Sequence, residues 1–419
     1  MTNKKLNSKQ RVDSNTKDLS KLKVALVHDY LREYGGAERV VEALHEIFPE
    51  APLYVSFVDS SVTGIHWEKF SSWKIYQSWL TKIPFYKKLF SPLRIFAPQY
   101  FSNFDLSDYD LVISSTNAYF SKAVGVGKKG GKKVGGGRNQ TLHISYCHTP
   151  ARSLYGYITM TNWKKNPIMR SLGMIANHYL RVVDFYVAQN NVDHFIANSK
   201  ETAKRIKKFY KLDSTVIYPP IEIEKGRKFS GVSSKPNDKV ADKSVGGAKN
   251  TNKKYYLFVG RLALSKHVDL AVEAATKMNF NLKVVGSGKG LEYLKSIAGS
   301  TIEFMGSVND KKLYDLYENA EALLYPAEDE DFGMVPIEAM GHGIPVVAHK
   351  SGGPLETVIE GKNGFFFTKF TVENFAKAIK KIEKTKFDKN KIYKYSLQFS
   401  KERFKEEIQN YLLNSFKST

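Results

Sequence analysis

Two stretches of alternating strand and helix patterns, separated by a polar, basic segment, constrain this chain more than any other feature. In the first, the apolar run Val24-Ala25-Leu26-Val27 reads as a buried strand. Gly35-Gly36 follows, then a helical pattern over residues 37–48 with Val40, Val41, Leu44, Ile47 and Phe48 on one face. Short apolar runs recur at 111–114, 143–146, 195–198 and 216–218, with helical segments between several of them. Residues 224–254 interrupt the pattern, being rich in Lys, Ser, Gly, Asn and Asp with scarcely any large apolar side chain. It then restarts with strands predicted at 255–259, 282–285, 302–305, 322–325 and 345–348, and helices such as 268–278 and 311–319. Strands that alternate with helices form parallel sheets covered on both faces. The expected architecture is therefore α/β, with two doubly wound, Rossmann-like domains facing each other across a cleft. The expected boundaries are a polar tail 1–21, a first domain 22–223, a linker 224–254, a second domain 255–400, and an amphipathic helix in 401–419.

At 419 residues the chain has material for two or three domains. With 64 basic and 42 acidic residues it carries a net charge of +22, a field that attracts nucleotides, nucleic acid and acidic lipid alike. The lone cysteine, Cys147, ends an apolar run and reads as a small core residue, so no intramolecular disulfide forms. The polar, lysine-rich N-terminus lacks the apolar stretch of a signal peptide, and no apolar run reaches the length of a membrane span. The expectation is a cytoplasmic protein whose membrane contact is peripheral. Residues 125–138 are mostly Gly and Lys, and Gly125-Val126-Gly127-Lys128-Lys129-Gly130 formally matches a dinucleotide fingerprint. No helix can start in such a run, so it reads as a solvated basic loop.

Four segments carry chemistry. In Glu330-Asp331-Phe332-Gly333-Met334-Val335-Pro336-Ile337-Glu338, a strand runs into an acidic loop and then a helix that starts near Met334. Pro336 suits a first helical turn, and Gly333 lets the backbone approach a ligand. The unpaired N–H groups of that turn form an anion site. Glu330 and Glu338 can both face the cleft and accept hydrogen bonds from sugar hydroxyls; alternatively they complement the helix dipole and line a solvated face. Arg261 at a strand end and Lys266 five residues on suit a diphosphate, and would serve where other enzymes use a metal; the plainer alternative is two surface cations. His148 follows a strand end in the first half, as a structural or a reacting-site histidine. Gly35 and Gly36 form a turn or a close approach to a ligand.

In order, HDY…GGAE (His28 to Glu38), CHTPAR (Cys147 to Arg152), FVGRL…K (Phe258 to Lys266) and EDFGMVPIEAMGHGIPV (Glu330 to Val346) resemble glycosyltransferase family 4. The resemblance runs from about Lys23 to Phe367, outside the two basic inserts. It implies the GT-B fold, with the C-terminal helix crossing back to the first domain, and retaining transfer from a nucleotide diphosphate sugar with no metal or other cofactor. It further implies that Glu338 binds the ribose, Glu330 holds the donor sugar, and Arg261 and Lys266 take the diphosphate. Backbone groups of Phe332, Gly333, Met334 and Val335 would contact sugar and phosphate, with Gly35 and Gly36 approaching from the other domain. His148 would lie near the reacting sugar and Val308 by the base. Ser153, where many relatives carry an aromatic residue, and Tyr155-Gly156-Tyr157 incline the reading to a mannosyl-type transferase that uses GDP-mannose. The acceptor would be a glycan or lipid-linked molecule of cell-surface polysaccharide or glycolipid synthesis.

Residues 73–101 combine aromatic residues with lysines and hold no acid, which suits either docking on anionic lipid or a helical lid packed on the first domain. Two rival readings stay open. One is a nucleic-acid-binding protein, favoured by the charge but opposed by the acidic loop in the proposed cleft and the lack of a recognisable module. The other is a non-transferase sugar-nucleotide enzyme of the same fold.

Overall fold

A computed structural model describes residues 19–117, 120–127, 141–157, 167–229 and 254–417. The first lobe is built on seven strands: β1 (Val24–His28), β2 (Leu53–Val55), β3 (Ile75–Gln77), β4 (Leu111–Thr116), β5 (Leu142–Cys147), β6 (His194–Ala197) and β7 (Ser214–Val216). They lie in the order β3-β2-β1-β4-β5-β6-β7, every pair parallel. The second lobe has six: β8 (Tyr255–Val259), β9 (Leu282–Val285), β10 (Ile302–Gly306), β11 (Ala320–Tyr325), β12 (Val346–His349) and β13 (Gly364–Phe367). Their order is β10-β9-β8-β11-β12-β13, again all parallel. The chain order reverses between β1 and β4 in one sheet and between β8 and β11 in the other. Beyond the carboxyl ends of strands at such a reversal, the loops part and leave a crevice for a ligand.

The central strands are buried on both faces, which is why they read as continuous apolar runs. The strand expected at 216–218 lies two residues earlier, because Tyr218 leaves the sheet to stack on Phe332 of the other lobe. Strands β2, β3 and β13 carried no readable pattern. Residues 224–229 also differ from a free linker: Tyr393 donates to Glu224 O at 2.8 Å, and Phe229 N donates to Asn390 Oδ1 at 3.1 Å. The rest of that segment, and most of the insert 125–138, lie outside the described residues.

The helix Lys401–Lys417 belongs to the second lobe by sequence and to the first by packing. Phe404, Ile408 and Leu412 are buried in one cluster with Val24, Leu26, Val40 and Leu44. The crossing is side by side with the outgoing chain, Lys401 N donating to Ile221 O at 3.0 Å. Cys147 is buried, and burial pushes its thiol well above the ordinary range, as expected for a core residue. Phe404→Ala should lower the stability of the first lobe by about 3–5 kcal/mol, because it empties a packed site at the root of the crossing helix. Urea unfolding followed by circular dichroism measures this.

Candidate active site

Strand β11 delivers the acidic loop to the crevice. Gly333 has φ +86° at the cap of the helix Met334–Gly341, a left-handed turn that glycine adopts without strain. It points the free N–H groups of the first turn, Met334 and Val335, out of the helix end. Behind the loop, Gly353 N donates to Glu330 O at 2.7 Å. A Cβ on Gly352 would lie 2.2 Å from Glu330 O, and one on Gly353 2.2 Å from Phe332 O. Gly352 and Gly353 therefore set the position of the loop, a role that the sequence reading missed although the pair was visible.

Glu330 is largely enclosed. It accepts from Lys266 Nζ at 2.5 Å and from Tyr325 OH at 2.8 Å. Burial pushes its carboxyl upward, but the Lys266 charge and these hydrogen bonds outweigh it and hold the group below its ordinary value. Glu338, one turn into the helix, accepts from Tyr317 OH at 3.1 Å and pairs with Arg39 of the first lobe. Arg261, at the end of β8, donates to Glu33 of the first lobe at 3.0 Å. Phe332 is a core residue through its side chain, so only its backbone is available to a ligand. Val308 packs at the margin of the same core, in the turn after β10.

The first lobe comes close. A Cβ on Gly36 would meet Met334 Sδ at 2.6 Å, so the Gly35-Gly36 turn does face the helix end. Arg152 and Arg205 both pair with Asp331, and Arg152 donates to Asp329 O at 2.9 Å. Glu356 of the second lobe accepts from the backbone N–H groups of Lys200 and Glu201 at 2.9 and 2.8 Å, at the start of the helix Lys200–Tyr210. The cross-cleft partners Arg39, Arg205 and Glu356, and Tyr317 within the second lobe, carried no signal in the sequence, since they meet the site from elements remote along the chain.

His148 ends a buried hydrogen-bonded series set up by sheet register. The β1–β4 pairing places His28 opposite Ser115. His28 Nε2 lies 3.3 Å from Glu38 Oε1, His28 Nδ1 lies 3.1 Å from Ser115 Oγ, and Ser115 Oγ lies 2.8 Å from His148 Nε2. Glu38 also accepts from Gly35 N at 2.8 Å, which ties the glycine turn to the same series. Burial lowers the affinity of His28 for a proton, but its bond to Glu38 and the Glu38 charge more than restore it and its pKa is raised. Burial, with the charge of His28, pushes His148 down to about 4. His28 Nδ1 also lies 3.2 Å from the backbone oxygen of Ser115, so both of its nitrogens face acceptors and both donate. The Ser115 hydroxyl is then free to donate to His148 Nε2, leaving the proton of the neutral ring on Nδ1.

Among the described residues, no group of three or more His, Cys, Asp or Glu is arranged to hold a metal ion. Two outcomes follow from the geometry. The ¹⁵N shifts of His148 at neutral pH should report the Nδ1–H tautomer, and Ser115→Ala should shift the population toward Nε2–H. The second concerns Glu330. Because its folded pKa is lowered, its contribution to stability is complete above the unfolded carboxylate value and is lost as pH falls through the folded one. Lys266→Met removes the chief opposing charge and raises the folded pKa, so the variant should be less stable than the parent near pH 6 while the difference narrows toward about pH 3, measured as the thermal midpoint across that range.

A family model described as Glycosyltransferase Family 4 matches residues 34–225, and one described as Glycosyl transferases group 1 matches residues 241–399. The alpha-1,3/1,6-mannosyltransferase ALG2 of Dictyostelium discoideum is 28% identical over 274 residues, 57% of this chain and 61% of that protein. A GDP-mannose-dependent alpha-mannosyltransferase of Corynebacterium glutamicum is 32% identical over 112 residues, 27% of each chain. Both matches thus span less than two thirds of the relative's own length. Among solved structures, Anabaena Alr3699/HepE in complex with UDP and glucose superposes with a TM-score of 0.61 at 17% identity, over 93% of this chain and 99% of that one. Two family models in tandem, two parallel sheets meeting at their reversal points and a C-terminal helix returned to the first lobe agree: the chain belongs to glycosyltransferase family 4 and has the two-lobed GT-B fold.

Proposed function

We propose that the chain is a retaining, metal-independent hexosyltransferase that takes a sugar from a nucleotide diphosphate donor, with GDP-mannose the favoured donor. The observation that carries this reading is one crevice holding two helix-associated carboxylates, Glu330 and Glu338, beside two cations, Arg261 and Lys266. The printed names of the Dictyostelium and Corynebacterium relatives support mannose.

In this reading Glu338 exchanges Arg39 for the ribose hydroxyls, and Arg261 exchanges Glu33 for the diphosphate. Glu330 keeps Lys266 beside it while it orients the donor sugar. As the leaving group departs, the sugar becomes oxocarbenium-like and negative charge gathers on the diphosphate. Arg261, Lys266 and the N–H groups at Met334 and Val335 stand ready for that charge, so little reorganisation is needed during the step. No protein nucleophile is invoked; the departing phosphate oxygen takes the acceptor's proton as the new bond forms on the same face. Donor contacts would come from Val308 at the base and Gly35 and Gly36 at the diphosphate, with His148 by the reacting sugar. The acceptor is a glycan or lipid-linked molecule of cell-surface polysaccharide or glycolipid synthesis, met by a peripheral protein on the cytoplasmic face of a membrane.

A thermal-shift screen of GDP-mannose, UDP-glucose, UDP-GlcNAc and UDP-galactose with EDTA present should show one selective rise, abolished in Glu338→Ala. With that donor, Glu330→Ala should lower turnover about 100-fold. Undiminished turnover would remove Glu330 from its assigned place, and no shift with any donor would sink the transferase reading.

A further inference from the structure

The helix Pro167–Asn190 is the longest in the first lobe and contains a single acidic residue. That residue, Asp184, is turned inward, accepting from Lys122 Nζ at 2.5 Å and Tyr155 OH at 2.9 Å. Leu180, Val187 and Ala188 share the buried face. The outer face carries Leu172, Ile175, Tyr179, Val182 and Tyr186, spaced three and four residues apart so that they form one stripe. Ile175 is 71% exposed and Tyr186 64%. Monomeric soluble proteins rarely leave a continuous apolar stripe of this kind in water.

The stripe is joined to a second exposed region. Gln99 Nε2 donates to Tyr179 OH at 3.1 Å, which links the helix to the segment bearing exposed Phe85, Leu89 and Phe96. Much of that segment is packed inward: Leu80, Tyr100 and Phe101 are buried, and Trp73 stacks on His45. The lid reading of residues 73–101 thus accounts for those side chains, while the exposed apolar surface lies mainly on the long helix. The surroundings are cationic. Arg170 and Arg181 are exposed on the helix, and Lys82 and Lys88 on the adjoining segment, where Lys87 is paired with Asp59. No Asp or Glu occurs in residues 69–104 or 149–183.

We propose that this face seats the protein on an anionic lipid bilayer. Apolar side chains enter the boundary between headgroups and acyl chains, while arginines and lysines meet the headgroup charge. A second copy of the chain is the poorer occupant, because a two-fold contact would set the same cations against each other. The placement also has a consequence for the cleft. Asn177 Nδ2 donates to Ser153 O at 3.3 Å, next to Arg152, which reaches across to Asp331. That contact is on the inward face of the helix, opposite the stripe, so the helix stands between a bilayer on the stripe and the segment that carries Arg152. The inference specifies the peripheral placement proposed above, but its test reads lipid binding and not transfer, so each can fail without the other.

The test is co-flotation of the full chain with phosphatidylglycerol-rich vesicles and with phosphatidylcholine vesicles, at low and high salt. Binding should require the anionic lipid and weaken with salt. Ile175→Glu combined with Tyr186→Glu should reduce the bound fraction at least about tenfold while far-ultraviolet circular dichroism and the thermal midpoint stay in place. If the double variant does not fold, Ile175→Ser serves in its place and should still weaken flotation severalfold. Flotation unchanged by the substitutions, or absent at low salt, overturns the proposal. So does light scattering that shows a dimer dissolved by them, since the stripe would then be covered by a second copy.

Discussion

Asp331 and its two arginines fix the relation on which the rest of the site depends. The carboxylate sits on a loop of the second lobe, and Arg152 and Arg205 reach it from the first. Arg205 is almost wholly buried, and its charge is met both by Asp331 across the cleft and by Glu201 on its own helix. Glu356 adds a second tie by capping the helix Lys200–Tyr210 from the opposite lobe. Together they hold the ends of two sheets face to face, and only in that arrangement do Gly36 and Met334 adjoin.

The other charges in the crevice have a common logic. Glu338 is paired with Arg39, Arg261 with Glu33, and Glu330 with Lys266. Two of these pairs cross between lobes, and one lies within the second lobe. Under the proposed function, a donor would replace the cross-lobe partners and leave the internal pair intact. Under that proposal the internal pair, Lys266 with Glu330, is the one whose geometry would persist during the reaction, one member orienting the sugar and the other facing the leaving group.

Much of the fold was legible because buried parallel strands are written as apolar runs. Strands β8 and β9 and the helix Val268–Met278 fall where the pattern places them. Strands β2 and β3 were not legible: each has three residues, and β3 is an edge strand with Tyr76 and Gln77 exposed, so neither shows a period. Strand β13, Gly364–Phe367, was passed over because its apolar run is short and glycine-led. The motif residues Glu330, Glu338, Arg261 and Lys266 were visible because the strand–loop–helix that carries the glutamates is local. Arg39 and Tyr317 were not, because each meets Glu338 only after folding.

The sequence by itself determined two doubly wound lobes, the strand-to-helix turn that presents a helix end to a crevice, and the residue types gathered there. Those properties depend on neighbours within a few residues, through strand periodicity, glycine's freedom at positive φ and the unpaired N–H groups of a first helical turn. Tertiary structure alone decided which charges pair across the lobes, that Ser115 stands between His28 and His148, and that the apolar stripe of Pro167–Asn190 faces outward. Each of these depends on sheet register or on contacts between elements distant in the chain, and periodicity along a single segment does not encode which of its faces will meet another.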